Sequence, residues 1–200
     1  MSDYKPAAAD VKTLREQTGA GMMEVRDALV EAAGDMEAAR KVLREKGLAK
    51  AAKRGGRATS DGKIASYIHG GGVKGVLVEV GCETDFVANT DKFQEFVKDI
   101  SLQIVSMDGT RWVSEDDVPE EAKEAELEIY RSQAADKSAD VQQKIAEGKL
   151  RKWFEEVVLL NQPYFRDEDQ TVEQVRAALS SEMGENIEIK RFASYTLGQE

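Results

Sequence analysis

Apolar residues recur every three or four positions in the first fifty residues of the chain, which is the period of an amphipathic helix. Shorter stripes at residues 11–14 and 36–43 flank the clearest one, and glycine-containing turns separate the three. The clearest stripe consists of Met22, Val25, Leu29 and Ala32. This pattern predicts three short helices over residues 1–54, the last one extended towards Arg54 by alanines and lysines. So small a bundle buries little surface and is suited to docking on a partner.

After residue 55 the spacing of apolar residues changes from every three or four positions to every second position. Residues 63–69 and 73–80 read as two strands joined by the Gly70-Gly71-Gly72 turn, and alternation over 187–192 predicts a third strand. Amphipathic helices are expected near 90–107 and 172–183, and a helical hairpin at about 119–160. The predicted fold class is α+β. A three-helix module resembling a ubiquitin-associated (UBA) domain over 1–54 precedes a 55–200 core with a small three-stranded antiparallel sheet, packed helices and the hairpin.

Charge and composition narrow the choice of partners. The chain is 41% hydrophobic and 33% charged, with a net charge of −10. Residues 1–57 carry +3 and the remainder −13, so most of the surface would repel a phosphate backbone, and we expect no direct nucleic-acid binding. No apolar run reaches the ~20 residues that span a bilayer, and the start of the chain lacks a secretory pattern. With one cysteine, Cys82, the chain has the composition of a cytoplasmic protein without membrane contact.

Groups that could carry out catalysis are scarce, and we predict neither an enzyme nor a cofactor. His69 is the only histidine, so the usual zinc sites cannot be assembled in one chain, and no G-x-S-x-G nucleophile pattern occurs. The stretch between Gly56 and Gly62 imitates a phosphate-binding loop but is one residue too long. We therefore predict no catalytic residue, no metal ligand and no nucleotide site.

The segment GCETDFVANT at 81–90 poses a question, because it places an acid beside a large ring where a strand gives way to a helix. In one interpretation Phe86 belongs to the core and Asp85 caps the chain. In the other the corner is a rigid wedge, and Phe86 enters an apolar slot on a partner while Asp85 fixes its orientation. The residues alone leave both open.

Four segments resemble the elongation factor Ts family, the guanine-nucleotide exchange factors of elongation factor Tu. They cover nearly the whole chain in order. They read LREQTGAGMMEVRDAL at 14–29, CETDFVANTDKF at 82–93, IAEGKLRKWFEEVVLLNQPYF at 145–165 and GENIEIKRF at 184–192. The resemblance implies a translation elongation factor that binds Tu–GDP, disturbs the magnesium and phosphate site, and so promotes GDP release and GTP rebinding.

The resemblance also implies which residues contact Tu. Leu14, Met22 and Met23 match the positions through which the N-terminal module docks, although Met22 also lies on the core stripe. Asp85 and Phe86 match the pair that intrudes near the magnesium and phosphates, and Val87 follows them in the same motif. His69 matches a histidine of the family's second core repeat.

Length separates this chain from the longer members of the family, which carry two related core subdomains. At 200 residues there is space for one, so the resemblance implies a homodimer that binds two Tu molecules. Two rival functions remain at this stage. A helical adaptor would use only the N-terminal module, and a hydrolase would use Asp85, Glu83 and His69.

Overall fold

The computed structural model describes residues 4–199 as a mixture of helices and strands. Short 3-10 turns lie at 115–117 and 159–161. The helices are α1 Ala8–Thr18, α2 Met22–Glu31, α3 Met36–Arg54, α4 Asp85–Ala88, α5 Asp91–Ser106, α6 Glu120–Gln133, α7 Ala139–Val157 and α8 Val172–Met183. The strands are β1 Asp61–His69, β2 Lys74–Cys82, β3 Pro163–Tyr164, β4 Asp167–Thr171 and β5 Ile187–Thr196. The α+β class predicted from the pattern is confirmed.

The three N-terminal helices share one apolar core. It consists of Leu14, Val25, Ala28, Leu29, Ala39 and Leu43, all of them buried. Asp35 begins α3, because its carboxylate accepts the backbone N–H groups of Glu37 and Ala38 at 2.9 and 3.0 Å. The helix then continues through Gly47 to Arg54. The end of the apolar spacing at Gly47 is thus not the end of the helix.

The chain forms two compact units, each assembled from separate stretches of sequence. The first comprises Met1–Ile64, Glu79–Lys98 and Gln174–Ile189, and the second comprises Ala65–Val78, Asp99–Glu173 and Lys190–Glu200. The three-helix module lies within the first unit. Its predicted independence as a domain ending at residue 54 stays a prediction.

The main sheet has the strand order β1-β2-β5 and is antiparallel, as the alternating pattern predicts. The central strand β2 buries Val76, Val78 and Val80 while Leu77 between them stays exposed. Gly62 on β1 is required by a close approach of two backbones. Its φ is 142°, and a Cβ there would lie 2.1 Å from the carbonyl oxygen of Val80.

The second unit contains the predicted helical hairpin. Helices α6 and α7 pack on each other. Near the start of α6 and the end of α7, a buried cluster consists of Val118, Phe154, Val157 and Val158. Trp112 and Trp153, the two tryptophans of the chain, lie beside this cluster with ring centroids 5.8 Å apart.

The short hairpin of β3 and β4 in the same unit was not predicted. It is anchored by Asp99, a buried carboxylate on α5. Asp99 receives the hydroxyl of Tyr164 at 2.5 Å and two guanidinium N–H groups of Arg166 at 2.6 and 2.7 Å. Within residues 4–199, no helix is both long enough and apolar enough to cross a membrane.

Candidate partner-binding site

Residues 82–93 form a corner that is capped twice. Strand β2 ends at Cys82, a single helical turn, α4, follows, and α5 begins at Asp91. The Thr84 side chain caps α4 by accepting the N–H of Val87 at 3.5 Å. Thr90 then caps α5. Its Oγ1 accepts the N–H of Phe93 at 3.3 Å and donates to the carbonyl of Val87 at 2.8 Å. The sequence predicts the corner, and the structure adds the separate turn of helix at its tip.

Burial divides this helical turn into two faces. Val87 and Ala88 are only 8% and 4% exposed, whereas the Phe86 side chain is 84% exposed and Asp85 is exposed too. The interpretation that placed Phe86 in the core is therefore wrong for this structure. Val87 was expected to contact a partner, and its burial corrects that expectation because it packs under the corner instead. A large, isolated, exposed ring on a short rigid element is typical of an interface anchor.

Two glutamates, Glu83 and Glu185, fix the backbone at the start of the corner by hydrogen bonds. Glu185 lies just after α8, and its Oε2 accepts the backbone N–H groups of Glu83 and Thr84, both at 3.1 Å. Its Oε1 accepts the hydroxyl of Thr84 at 2.6 Å. In return, Glu83 Oε1 accepts the backbone N–H of Asn186 at 2.6 Å. Each glutamate thus fixes the backbone that carries the other.

Electrostatics reinforce this arrangement. The N–H of Asn186, followed by the guanidinium of Arg57 at 3.2 Å, holds the pKa of Glu83 below its ordinary value. Burial raises the pKa of Cys82, and its thiol donates to the Thr84 carbonyl at 3.2 Å. Cys82 is fully buried and acts as a small core residue. Because Glu83 is committed to backbone N–H and guanidinium groups, it is a poor choice for the catalytic acid that a hydrolase would need.

The three-helix module carries a second exposed apolar surface in the same unit. Met22 and Met23 open α2 and are 60% and 59% exposed. Met22 lies on the core stripe and yet remains exposed to solvent. A helical side chain points back over the preceding turn, and because Met22 is the first residue of α2 there is no such turn for it to pack on. Methionine at such a position suits an adaptable contact.

Leu14 requires a correction. It was expected to contact a partner, but its side chain is 0% exposed and belongs to the core shared by the three helices. Its apolar side chain packs α1 against the other two helices of the module. Leu14 can therefore influence docking only by supporting the helix that carries the methionines.

His69 is exposed at the end of β1, where the three-glycine turn begins. Its Nδ1 lies 3.1 Å from the hydroxyl of Tyr67. His69 belongs to the second unit, whereas Asp85, Phe86, Met22 and Met23 belong to the first. Among residues 4–199, no three histidine, cysteine or carboxylate side chains converge in a way that could hold a metal ion.

Sequence reasoning missed Glu185 and Asn186 as members of the site. Both lie about a hundred residues from the corner along the chain. Hydrophobic periodicity carries no information on contacts at that separation. The one available signal was the position of Glu185 and Asn186 inside the segment GENIEIKRF, which matches the family as a whole.

Comparison with known proteins decides the family. The model of the family described as "Elongation factor TS" matches residues 5–199. The chain belongs to the elongation factor Ts family. A member named elongation factor Ts from Caldanaerobacter subterraneus is 51% identical over 195 residues, 96% of this chain and 97% of the relative. A member from Coprothermobacter proteolyticus is 52% identical, covering 96% and 98%.

Family members differ in length. A relative from Thermosynechococcus vestitus is 51% identical over 94% of this chain, but that match covers 64% of the relative. The matches to the two former relatives extend over almost the whole length of both chains. Membership confirms the coarse function predicted from sequence, a role in translation elongation.

Proposed function

We propose that the protein binds elongation factor Tu in its GDP form and promotes release of GDP, so that GTP can bind in its place. The observation that carries the proposal is the 84% exposure of Phe86 on a corner whose backbone is fixed on both sides. The exposed ring supplies an apolar anchor, and Asp85 beside it supplies a negative charge. The reaction involves no bond chemistry in this chain. It is a change in how tightly the partner holds its nucleotide.

The partner's site explains why such a corner would act there. A nucleoside diphosphate is held in a G protein by magnesium and by the N–H groups of a phosphate-binding loop. A ring that enters beside the magnesium displaces the groups that position it. The carboxylate of Asp85 is repelled by the phosphates and attracted by the metal, so it weakens their mutual contacts. Both effects lower the affinity for GDP without requiring any catalytic residue.

Thermodynamic linkage sets the direction of the effect. If the protein binds nucleotide-free Tu more tightly than Tu–GDP, it weakens GDP by the same factor by which GDP weakens it. A ten-thousandfold effect requires about 5.5 kcal/mol of differential binding. Burying one phenylalanine contributes about 1.5–3 kcal/mol. A second contact is therefore needed.

The second contact in this proposal is the exposed pair Met22 and Met23. These side chains open α2 in the same unit as the corner. Docking through these methionines keeps the protein bound to Tu while the corner acts on the nucleotide site. The methionines thus determine the affinity for Tu, and the corner determines the rate of GDP release. His69, exposed at its turn in the second unit, is proposed as a further polar contact with Tu.

The protein is also proposed to act as a homodimer in the cytoplasm. The supporting observation is a shallow groove of about 560 Å³ on the second unit, flanked by exposed apolar side chains. They are Ile68, Val73, Leu77, Tyr195 and Leu197, each at least 45% exposed. A second copy placed there would cover these side chains, and stable pairs bury about 800 Å² per partner. Leu77→Glu should yield monomers in analytical ultracentrifugation, and a wild-type monomer at micromolar concentration would contradict the pairing.

The function is tested by stopped-flow measurement of fluorescent GDP leaving Tu, with excess unlabelled GDP and increasing amounts of this protein. The wild type should accelerate release strongly. Phe86→Ala should lower the limiting rate by about 10- to 100-fold, the equivalent of roughly 1.4–2.7 kcal/mol. Phe165→Ala is the matched control, since Phe165 is also an exposed phenylalanine but lies in the second unit. No acceleration by the wild type would refute the function, and an unchanged Phe86→Ala rate would refute the wedge.

A further inference from the structure

Residues 180–186, the end of α8 and the turn that follows it, contact both the three-helix module that carries Met22 and Met23 and the corner at residues 82–93. On the side of the three-helix module, the guanidinium of Arg54 donates to the Ser180 carbonyl at 3.3 Å. Gly19, three residues before Met22, lies against Glu182, since a Cβ on Gly19 would fall 2.6 Å from the Glu182 carboxylate. A side chain at Gly19 would thus push the Glu182 carboxylate away from the three-helix module.

The same stretch holds the corner on its other side. Glu185 accepts two backbone N–H groups and one hydroxyl from residues 83 and 84, directly before Asp85. Glu182 forms an ion pair with Lys92, on the first turn of the helix after the corner. Asn186 donates its side-chain amide to the Arg57 carbonyl at 3.0 Å. Polar bonds therefore fix the corner on both sides of α4.

The turn is itself braced. The hydroxyl of Ser180 donates to the carbonyl of Glu185 at 2.6 Å, and Ser180 is fully buried. This bond closes the end of α8 over the Glu185 backbone. The backbone of Glu185, from which the carboxylate extends to the corner, is thereby held by the end of α8.

We propose that residues 180–186 are the positioning element that sets the Asp85–Phe86 corner relative to the α2 docking surface, with Glu185 as its principal positioning residue. This inference rests on the proposed function. A corner free to move would pay an entropic cost each time Phe86 entered the partner. A fixed corner lets docking at α2 deliver Phe86 already in place, which raises the effective concentration of the ring at its target.

The experiment separates positioning from docking by measuring two quantities in the GDP-release assay with the full chain and Tu. Glu185→Ala should lower the limiting release rate about tenfold, while the concentration that gives half the effect changes less than about twofold because α2 is untouched. Glu185→Gln should retain most of the activity, within about threefold, because one amide oxygen can still accept both backbone N–H groups. Glu188→Ala is the matched control, since Glu188 accepts the Thr59 hydroxyl at 2.7 Å and does not bond to residues 83 or 84.

A double-mutant cycle identifies the route of the effect. If Glu185 acts through Phe86, adding Glu185→Ala to Phe86→Ala should change the limiting rate by less than about twofold. Thr84→Val removes the hydroxyl that donates to Glu185 and that also caps α4 through the Val87 N–H, so it should lower the limiting rate by about three- to fivefold, and it can be measured if Glu185→Ala does not fold. Full activity of a folded Glu185→Ala variant, or loss of docking with an unchanged limiting rate, would overturn this inference. An unchanged limiting rate for Phe86→Ala would instead overturn the wedge on which this inference rests, and no acceleration by the wild type would overturn the proposed function.

Discussion

Glu83 and Glu185 hold each other's backbone. The carboxylate of Glu185 accepts the N–H of Glu83 at 3.1 Å, and the carboxylate of Glu83 accepts the N–H of Asn186, the next residue after Glu185, at 2.6 Å. The charge of each acid is thus partly balanced by backbone N–H dipoles, and that of Glu83 also by Arg57. Such charge-assisted bonds are stronger than neutral ones. The lowered pKa of Glu83 gives the corner a dependence on pH.

The first prediction concerns acid stability. The pKa of Glu83 lies below its ordinary value of 4.5 in the folded protein, so its ionised form stabilises the fold above pH 4.5, and this contribution is lost as the pH falls through the lowered pKa. Glu83→Gln should therefore be less stable than wild type at pH 7, and the difference should shrink towards pH 3. Urea denaturation at several pH values measures it. A difference that is constant with pH would exclude a role for the charge.

The second prediction concerns Gly47, which lies inside α3 at a position where an added Cβ would meet no atom within 4 Å. Glycine in a helix interior costs about 0.5–1 kcal/mol relative to alanine, so Gly47→Ala should raise the free energy of unfolding by roughly that amount. Gly34→Ala is the opposite case. Its φ is 91° and a Cβ would meet the Tyr4 ring at 2.6 Å, so it should destabilise by about 1–3 kcal/mol. Chemical denaturation of both variants measures the two changes, and equal effects at both glycines would contradict this account.

The third prediction separates support from contact in the N-terminal module. Leu14→Ala should destabilise the protein by about 2–5 kcal/mol, because it opens a cavity in the shared core. Met23→Ala should leave stability within about 0.5 kcal/mol and should weaken binding to Tu several-fold. Calorimetric titration and thermal unfolding of both variants check the distinction. Unchanged binding by Met23→Ala would remove the methionine from the docking surface.

The fourth prediction concerns alkaline stability of the second unit. Burial, followed by the hydrogen bond to Asp99, raises the pKa of Tyr164 above its ordinary value of 10.0. The protonated phenol is favoured in the folded state, so its contribution is complete below pH 10 and is lost as the pH rises further. Tyr164→Phe should cost about 1 kcal/mol at pH 7 and progressively less above pH 10. The exposed Tyr195→Phe is the control, and guanidinium unfolding curves at each pH provide the measurement.

Much of the fold is predictable because it depends on local periodicity. The buried row Val76, Val78 and Val80 alternates with solvent positions, and this alternation defines β2 without any tertiary information. The N-terminal helices are predicted for the same reason. The alanines and lysines after Gly47 predict that α3 continues towards Arg54, and it does, because one glycine costs less than the packing of α3 gains.

Other features depend on contacts that no local pattern contains. Strand β4 is largely polar, and its hairpin is anchored through Tyr164 and Arg166 to Asp99, more than sixty residues away. The burial of Leu14 and the exposure of Met22 could not be separated from sequence, because both lie on apolar stripes and apolar side chains serve cores and interfaces alike. The role of Glu185 was not predictable for the same reason as β4, because its partners are distant in the chain.

Trp112 and Trp153 lie side by side in the second unit, and the chain has no other tryptophan. Ultraviolet emission excited at the indole band therefore reports on that unit alone, whereas far-ultraviolet dichroism sees helices of both. Superimposable melting curves from the two signals would mean that the units lose their structure in a single cooperative step. Curves that separate would identify an intermediate, without any attached label, in which one half of the molecule has melted before the other.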